Sequence, residues 1–261
     1  MSKTIIMIHG MWGTDWYWQN YKTFLESKGY KCVSPVLRYH DMNPKESPDR
    51  RLGATSLMDY VDDLEKEIRK LDESPIIMGH SMGGLLAQML GSRGLGKALV
   101  LLAPASPRWI NATRITVLRT FWDIMTVFKI FPRWGFWKKT NRISFKKAAW
   151  GVLNLMPKEE QSEIYEKFVW ESGKAAAQIG FWLLDFKKTT KIDSASVTCP
   201  VLVIAGTQDR ITPVSVSLAV AKKYKDVSTY KELEGHAHWL VGEKGWENVV
   251  KYIVDWLENE Q

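Results

Sequence analysis

The residues best suited to chemistry form Gly79-His80-Ser81-Met82-Gly83, a G-x-S-x-G motif set between the apolar run Ile76-Ile77-Met78 and an apolar stretch from Gly84 to about Leu90. Five residues make a weak signal alone. Strand, turn and helix in that order strengthen it, because this is the setting in which a serine is held in a strained backbone conformation with its hydroxyl projecting from the turn. Glycines at 79 and 83 keep side chains out of that turn. A serine hydroxyl is a poor nucleophile, so acyl transfer through Ser81 needs a base within hydrogen-bond reach and a third group to orient the base.

Both partners are available later in the chain. The segment Val203 to Pro213 places Asp209 just past the end of an apolar strand, where side chains collect at the carboxyl edge of a parallel sheet. Asp209 is the candidate acid. Gly235-His236-Ala237-His238-Trp239 follows the last strand and offers two candidate bases, of which only one can serve. His9 and His80 sit beside glycines in tight turns, and His40 precedes a Pro-rich loop, so those three have simpler structural explanations. The order Ser, Asp, His along the chain differs from that of two other serine-protease folds. Neither histidine of the doublet has Cys or carboxylate partners at metal-ligand spacing, so no metal and no cofactor are expected.

The elements that must hold these groups alternate in the first hundred residues. Thr4 to Ile8 reads as a buried strand, Trp16 to Lys28 as a helix closed by Gly29, and Lys31 to Val36 as a second strand. Ser56 with Asp59 looks like a capping box, after which Leu57, Tyr60, Val61, Leu64 and Ile68 share one helical face. Ile76 to Met78 and Ala98 to Ala103 are further continuous apolar runs. Runs buried on both faces and separated by helices point to a parallel sheet covered on each side. From about Pro107 to Ser196 the sequence becomes Trp-rich, Lys-rich and helical, with no good strand candidate. Sheet rhythm resumes at Pro200 to Gly206, continues through Ser228 to Leu233, and ends in an amphipathic helix from Trp246 to Leu257.

Composition sets the outer bounds. With 261 residues, 45% apolar and 25% charged, the chain is neither disordered, collagenous nor coiled coil. Its two cysteines, Cys32 and Cys199, are too few for a disulfide framework and suit a reducing compartment. No apolar run reaches the roughly 18 residues of a membrane span, and the opening residues do not read as a signal peptide, so a cytoplasmic location is expected.

Taken together, the motifs resemble the α/β-hydrolase superfamily in its esterase and lipase-like branch, over nearly the whole chain. His9-Gly10-Met11-Trp12 resembles the family's oxyanion loop, Gly79 to Gly84 its nucleophile elbow, and Asp209 its acid. The resemblance implies a doubly wound, mainly parallel sheet of six strands rather than eight, with a helical cap at 107–196 inserted between the strands ending near Ala103 and starting near Pro200. Residues 1–106 and 197–261 then form the core domain. In many relatives the catalytic histidine lies about five residues before an acid. Glu243 stands at that distance from His238, which favours His238 over His236, although the simpler Gly-His pattern points to His236. The implied mechanism is hydrolysis of a carboxylic ester with an apolar acyl or alkyl part, with Ser81 as nucleophile, His238 as base, and the backbone N–H groups of Met11 and Met82 holding the oxyanion. His9, Gly10, Trp12, His80 and Trp239 are candidates for the pocket wall, and Trp16 and Trp18 for its opposite side. The same triad could instead act on a thioester, amide or carbon–carbon bond or in perhydrolysis, and a non-catalytic receptor would keep the pocket without turnover.

The proposed cap holds Trp109, Trp122, Trp134, Trp137, Trp150, Trp170 and Trp182, seven of the chain's thirteen tryptophans, with Phe121, Phe128, Phe131, Phe136, Phe168 and Phe181. Between Pro107 and Gly151 stand ten Lys or Arg residues and one acid, Asp123, within a chain of formal charge +7. Aromatic and basic residues interleaved from Arg108 to Lys147 fit a surface resting on anionic lipid. No recognition motif accompanies the charge, so nucleic acid is not an expected partner.

Overall fold

A computed structural model describes residues 3–111 and 139–260. The expected tryptophans at 122, 134 and 137 and phenylalanines at 121, 128, 131 and 136 lie outside the described residues. Strands β1 (Thr4–Ile8), β2 (Lys31–Val33), β3 (Ile76–His80) and β4 (Ala98–Leu102) come first. Two-residue strands β5 (Thr140–Asn141) and β6 (Glu171–Ser172) form a separate antiparallel ribbon, and β7 (Val201–Gly206) and β8 (Ser228–Leu233) complete the main sheet. That sheet has six strands in the order β2-β1-β3-β4-β7-β8, all parallel.

Every residue of β3, β4 and β7 is buried, which is why their sequences are continuous rather than alternating apolar runs. Parallel neighbours require crossovers, and helices α1 (Gln19–Ser27), α2 (Leu57–Ile68) and α3 (Met82–Gly91) supply the first three. Between β4 and β7 lie α4 (Lys158–Glu166) and α5 (Gly173–Gly180), followed after β7 by α6 (Val214–Lys223) and α7 (Trp246–Asn259). The capping box at Ser56 is present, with Ser56 Oγ accepting from Asp59 N at 3.2 Å and Asp59 Oδ2 accepting from Ser56 N at 2.7 Å. Its buried face is the one the periodicity predicts.

Several elements differ from expectation for identifiable reasons. The expected helix Trp16 to Lys28 is a 3-10 turn at Asp15–Trp18 leading into α1. Strand β2 stops at Val33 because Pro35 has no N–H for a ladder and also restricts Ser34. Helix α6 is hidden by a Val-Ser-Val-Ser alternation that mimics a strand, and the β5–β6 ribbon is too short to leave a pattern. Helix α3 begins at Met82, two residues before its expected start, with glycines inside it. A Cβ on Gly83 would overlap the carbonyl oxygens of Ile8 and His9, so glycine is the residue that lets α3 lie against β1.

Buried charge fastens the segment between β4 and β7 to α2 and to the loop that precedes it. His40 and Glu171 are both inaccessible and meet at 3.1 Å, while Glu171 Oε1 also accepts from Tyr60 Oη at 2.9 Å. His40 Nδ1 faces the carbonyl of Arg38 at 3.1 Å, so both ring nitrogens face acceptors. Burial alone would push His40 down, but the Glu171 charge and the bonds to Glu171 and to backbone carbonyls outweigh it and hold the imidazolium above its ordinary 6.5. Burial likewise opposes ionisation of Glu171, and His40 with the Ser172 and Tyr60 donors reverses this and holds it below 4.5. The raised His40 contributes stability that is complete below 6.5 and lost as pH rises through its folded value, whereas the depressed Glu171 contributes stability present above 4.5 and lost as pH falls through its own. Glu171→Ala is therefore expected to destabilise the chain by about 3–5 kcal/mol near neutral pH by stranding a buried cation, and pairing it with His40→Leu should recover much of the loss. Urea unfolding of the two variants checks this, and equal losses in both would contradict it.

Candidate active site

The registers Ile8↔Gly79, His80↔Leu102, Leu102↔Ile204 and Gly206↔Leu233 align the carboxyl ends of five strands along one edge. The loops carrying His9 to Trp12, Ser81, Asp209 and His238 all leave from that edge. Ser81 closes β3 and precedes α3 with φ 54° and ψ −115°, a left-handed backbone region that serine rarely adopts. Trp12 (φ 62°) and Ala103 (φ 43°) are strained in the same sense beside it. Strain of this kind persists only where surrounding structure imposes it, and here Ser81 N donates to Leu102 O at 3.0 Å while Ser81 O accepts from Ala105 N at 2.8 Å.

Asp209 sits in the loop after β7 and is buried, with a donor on every face. Its Oδ1 accepts from the N–H groups of Ile211 at 2.7 Å and Thr212 at 2.8 Å. Its Oδ2 lies 2.8 Å from both Thr212 Oγ1 and His238 Nδ1. The Thr212 hydroxyl is also 3.0 Å from Ala103 O, tying the acid's loop to the end of β4. With Nδ1 taken by Asp209, the other ring nitrogen of His238, Nε2, is outside that bond.

His236 has a different partner. Its Nδ1 lies 3.0 Å from Glu243 Oε1, which also accepts from Ala237 N at 2.8 Å. Burial pushes the Glu243 carboxyl above its ordinary value, against the pull of those two donors. Glu243 thus anchors the loop between the two histidines. The spacing that favoured His238 counts to an acid that touches His236 instead.

Ser81, His238, His80, Met11 and Trp12 line one cavity of about 20 Å³, closed by Tyr17, Val152 and Ile211. That volume holds about one water molecule. Met82, adjacent to Ser81, opens α3, where the first N–H groups have no partner within the helix. His80 Nε2 donates to the carbonyl of His238 at 2.8 Å, a strut between the strand of the serine and the loop of the histidine. Burial, with His238 nearby, drives His80 down to about 3, so it stays neutral.

Three residues expected on the pocket wall are elsewhere. His9 is fully buried and turned away, its Nδ1 donating to Gly10 O at 2.9 Å and its Nε2 accepting from Leu37 N at 3.2 Å. Burial and the neighbouring His40 drive it down to about 3, which favours this single neutral tautomer. Trp239 packs edge-on against Tyr17 at 4.5 Å, behind the cavity. Gly10 supplies backbone beside His80 rather than a surface. Trp16 and Trp18 also stand off the cavity, Trp18 packing on Tyr21 at 5.8 Å. Sequence reasoning missed Tyr17, Val152, Ile211 and Thr212. Only Thr212, three residues after the acid with a hydroxyl able to turn back, left a readable signal.

The segment between β4 and β7 reaches the site directly. Val169 N donates to Trp12 O at 2.9 Å, Trp12 Nε1 donates to Asn141 Oδ1 at 3.2 Å, and Arg210 donates to Trp150 O at 2.9 Å. Phe168 is buried among Trp12, Trp16, Tyr17 and Trp239 at centroid distances of 6.2–6.5 Å. Among the described residues no group of three or more His, Cys, Asp or Glu side chains is arranged to hold a metal, and no helix is long and apolar enough to cross a membrane.

A family model described as the alpha/beta hydrolase family matches residues 5–251. The chain is similar in structure to a monoacylglycerol lipase from Paleococcus ferrophilus, with a TM-score of 0.70 and 20% identity over 99% of this chain and 95% of that one. It is also similar to a pyrethroid hydrolase from Sphingobium faniae JZ-2, with a TM-score of 0.72 and 16% identity over 99% and 98%. Tomato methylketone synthase I gives 0.72 and 18%, over 100% of both chains. At these identities the likeness is one of fold. No curated protein matches the chain.

Proposed function

The chain belongs to the α/β-hydrolase family, and from that premise we propose that it is a serine hydrolase of carboxylic esters with a Ser81–His238–Asp209 triad. The observation that carries this reading is Asp209 bound at 2.8 Å to a histidine that lines the same cavity as a backbone-strained serine. Ser81 Oγ attacks the ester carbonyl while His238 Nε2 takes its proton, and the tetrahedral oxyanion is held by the backbone N–H groups of Met11 and Met82. The C–O bond to the alcohol then breaks, His238 returns the proton to the leaving oxygen, and an acyl-enzyme on Ser81 remains. Water, deprotonated by His238, attacks that ester, the C–O bond to Ser81 Oγ breaks as His238 returns the proton to Oγ, and the carboxylic acid leaves. Asp209 keeps the imidazole in the Nδ1–H tautomer and stabilises its charged form throughout. No step calls for a cofactor or metal. Residues 107–196 act as the cap, and 1–106 with 197–261 as the core. The names of the lipase and the pyrethroid hydrolase among the similar structures support a small-molecule ester with an apolar part.

The largely apolar lining of the cavity beside Ser81 and His238 suits an ester with an apolar part. Hydrolysis of p-nitrophenyl esters from acetate to palmitate tests the reading, and the variation of kcat/KM along the series gives the chain-length optimum. Val152→Ala should move the optimum to longer chains. An unchanged optimum in Val152→Ala would refute the assignment of this cavity as part of the acyl site, and no turnover of any ester would refute the esterase reading.

A further inference from the structure

After α5 the chain makes a loop that puts large apolar side chains into solvent. Leu183 is 66% exposed, Leu184 68% and Phe186 92%, and Trp109, 67% exposed, stands beside them with its ring edge-on to Trp182 at 5.3 Å. Exposure on this scale usually accompanies a mobile loop, yet this one is tied down. Leu184 N donates to Phe181 O at 2.8 Å, Asp185 N to Trp182 O at 3.3 Å and Lys188 N to Asp185 O at 2.9 Å. Arg108, itself buried, donates to the carbonyls of Trp182 and Asp185, and its guanidinium lies 4.9 Å from the Trp109 ring and 5.2 Å from that of Trp182. Asp185 is the one acid from Phe181 to Lys191, and its Oδ2 accepts from Thr189 N at 2.6 Å. Lys187, Lys188 and Lys191 are exposed.

We propose that this loop docks the protein on an anionic lipid bilayer, with Leu183, Leu184 and Phe186 among the acyl chains and Lys187, Lys188 and Lys191 at the headgroup phosphates. Three features select lipid over a folded partner. The side chains stand exposed within four consecutive positions of one turn, and a fluid hydrocarbon phase needs no complementary pocket to receive them. Several of the turn's backbone N–H and C=O groups are already bonded within the protein, which lowers the cost of bringing that turn to the edge of the hydrocarbon. From Phe181 to Lys191 three exposed lysines outnumber the one acid, Asp185, which is already engaged, while Asp193 beyond them accepts from Ala195 N and Ser196 Oγ, so the loop's own charge is complementary to phosphate. The proposal is independent of ester hydrolysis and holds for a Ser81→Ala chain as well.

Cosedimentation of the full chain with phosphatidylcholine vesicles, with and without phosphatidylglycerol, tests it. Wild type should partition onto the anionic vesicles. The combined variant Leu183→Ser, Leu184→Ser, Phe186→Ser should bind them about tenfold or more weakly. Replacing the three lysines with glutamine should remove the preference for anionic vesicles. Far-UV circular dichroism and the thermal midpoint establish that the variants fold. Equal partitioning of wild type and the serine variant, or wild type that binds neither vesicle, would overturn the proposal. Wild type that stays off vesicles but forms a dimer abolished by the serine variant would overturn it too, assigning the patch to a second copy of the chain.

Discussion

Ser81→Ala is expected to lower kcat on a short p-nitrophenyl ester by about 10⁴-fold or more while leaving the fold in place. The size of the effect follows from covalent catalysis, since without Oγ no acyl-enzyme forms and only water held near the oxyanion donors can react. The fold should survive because the turn is imposed by its surroundings: Ser81's backbone N–H and C=O are bonded to Leu102 and Ala105, and neither bond involves the hydroxyl. Alanine must still adopt the positive φ, so a loss of about 1 kcal/mol or less in unfolding free energy is expected beside the catalytic loss. Steady-state kinetics with the unfolding curve decide it. A fluorophosphonate should label the wild type and not the variant. Activity within tenfold of wild type would place the nucleophile elsewhere.

The second large effect separates two histidines only two residues apart. His238→Ala is expected to cost about 10⁴-fold or more in kcat, because it removes the base and leaves Asp209 with nothing to orient. His236→Ala should leave kcat within about tenfold and register mainly as lost stability, because Glu243, buried and held by His236 and Ala237, would keep only the backbone donor. Parallel kinetics and thermal unfolding of the two variants give a crossed pattern under this assignment. Large kinetic loss from His236→Ala with little from His238→Ala would transfer the role of base and break the argument from the Asp209 contact.

Much of this molecule was legible from local pattern. Continuous apolar runs at Thr4 to Ile8, Ile76 to Met78, Ala98 to Ala103 and Pro200 to Gly206 identify strands of a doubly covered parallel sheet, because only strands buried on both faces lose their polar alternation. Ser56 and Asp59 mark a helix start because a capping box is a contact between residues three apart. Gly79 to Gly83 marks the turn before α3 because the steric demand there acts on adjacent residues. Where pattern misled, a long-range requirement overrode a short-range one. The Val-Ser alternation of α6 yields to the crossover that a parallel β7–β8 pair requires, and the glycines at the start of α3 yield to the approach of β1.

The sequence by itself determined the sheet, the order of its strands along the chain, and the residue types gathered at its carboxyl edge, because each depends on hydrophobic period or on neighbours a few residues apart. Only the tertiary structure decided which histidine Asp209 meets, that Glu243 holds the other, that His9 and Trp239 stand behind the wall rather than on it, and that Tyr17, Val152 and Ile211 close the cavity. The same is true of the buried His40–Glu171 pair, whose members are 131 residues apart. Such contacts arise from the convergence of loops leaving different strands, and a side chain's direction at the end of a loop is set by what packs against it, which no local period encodes.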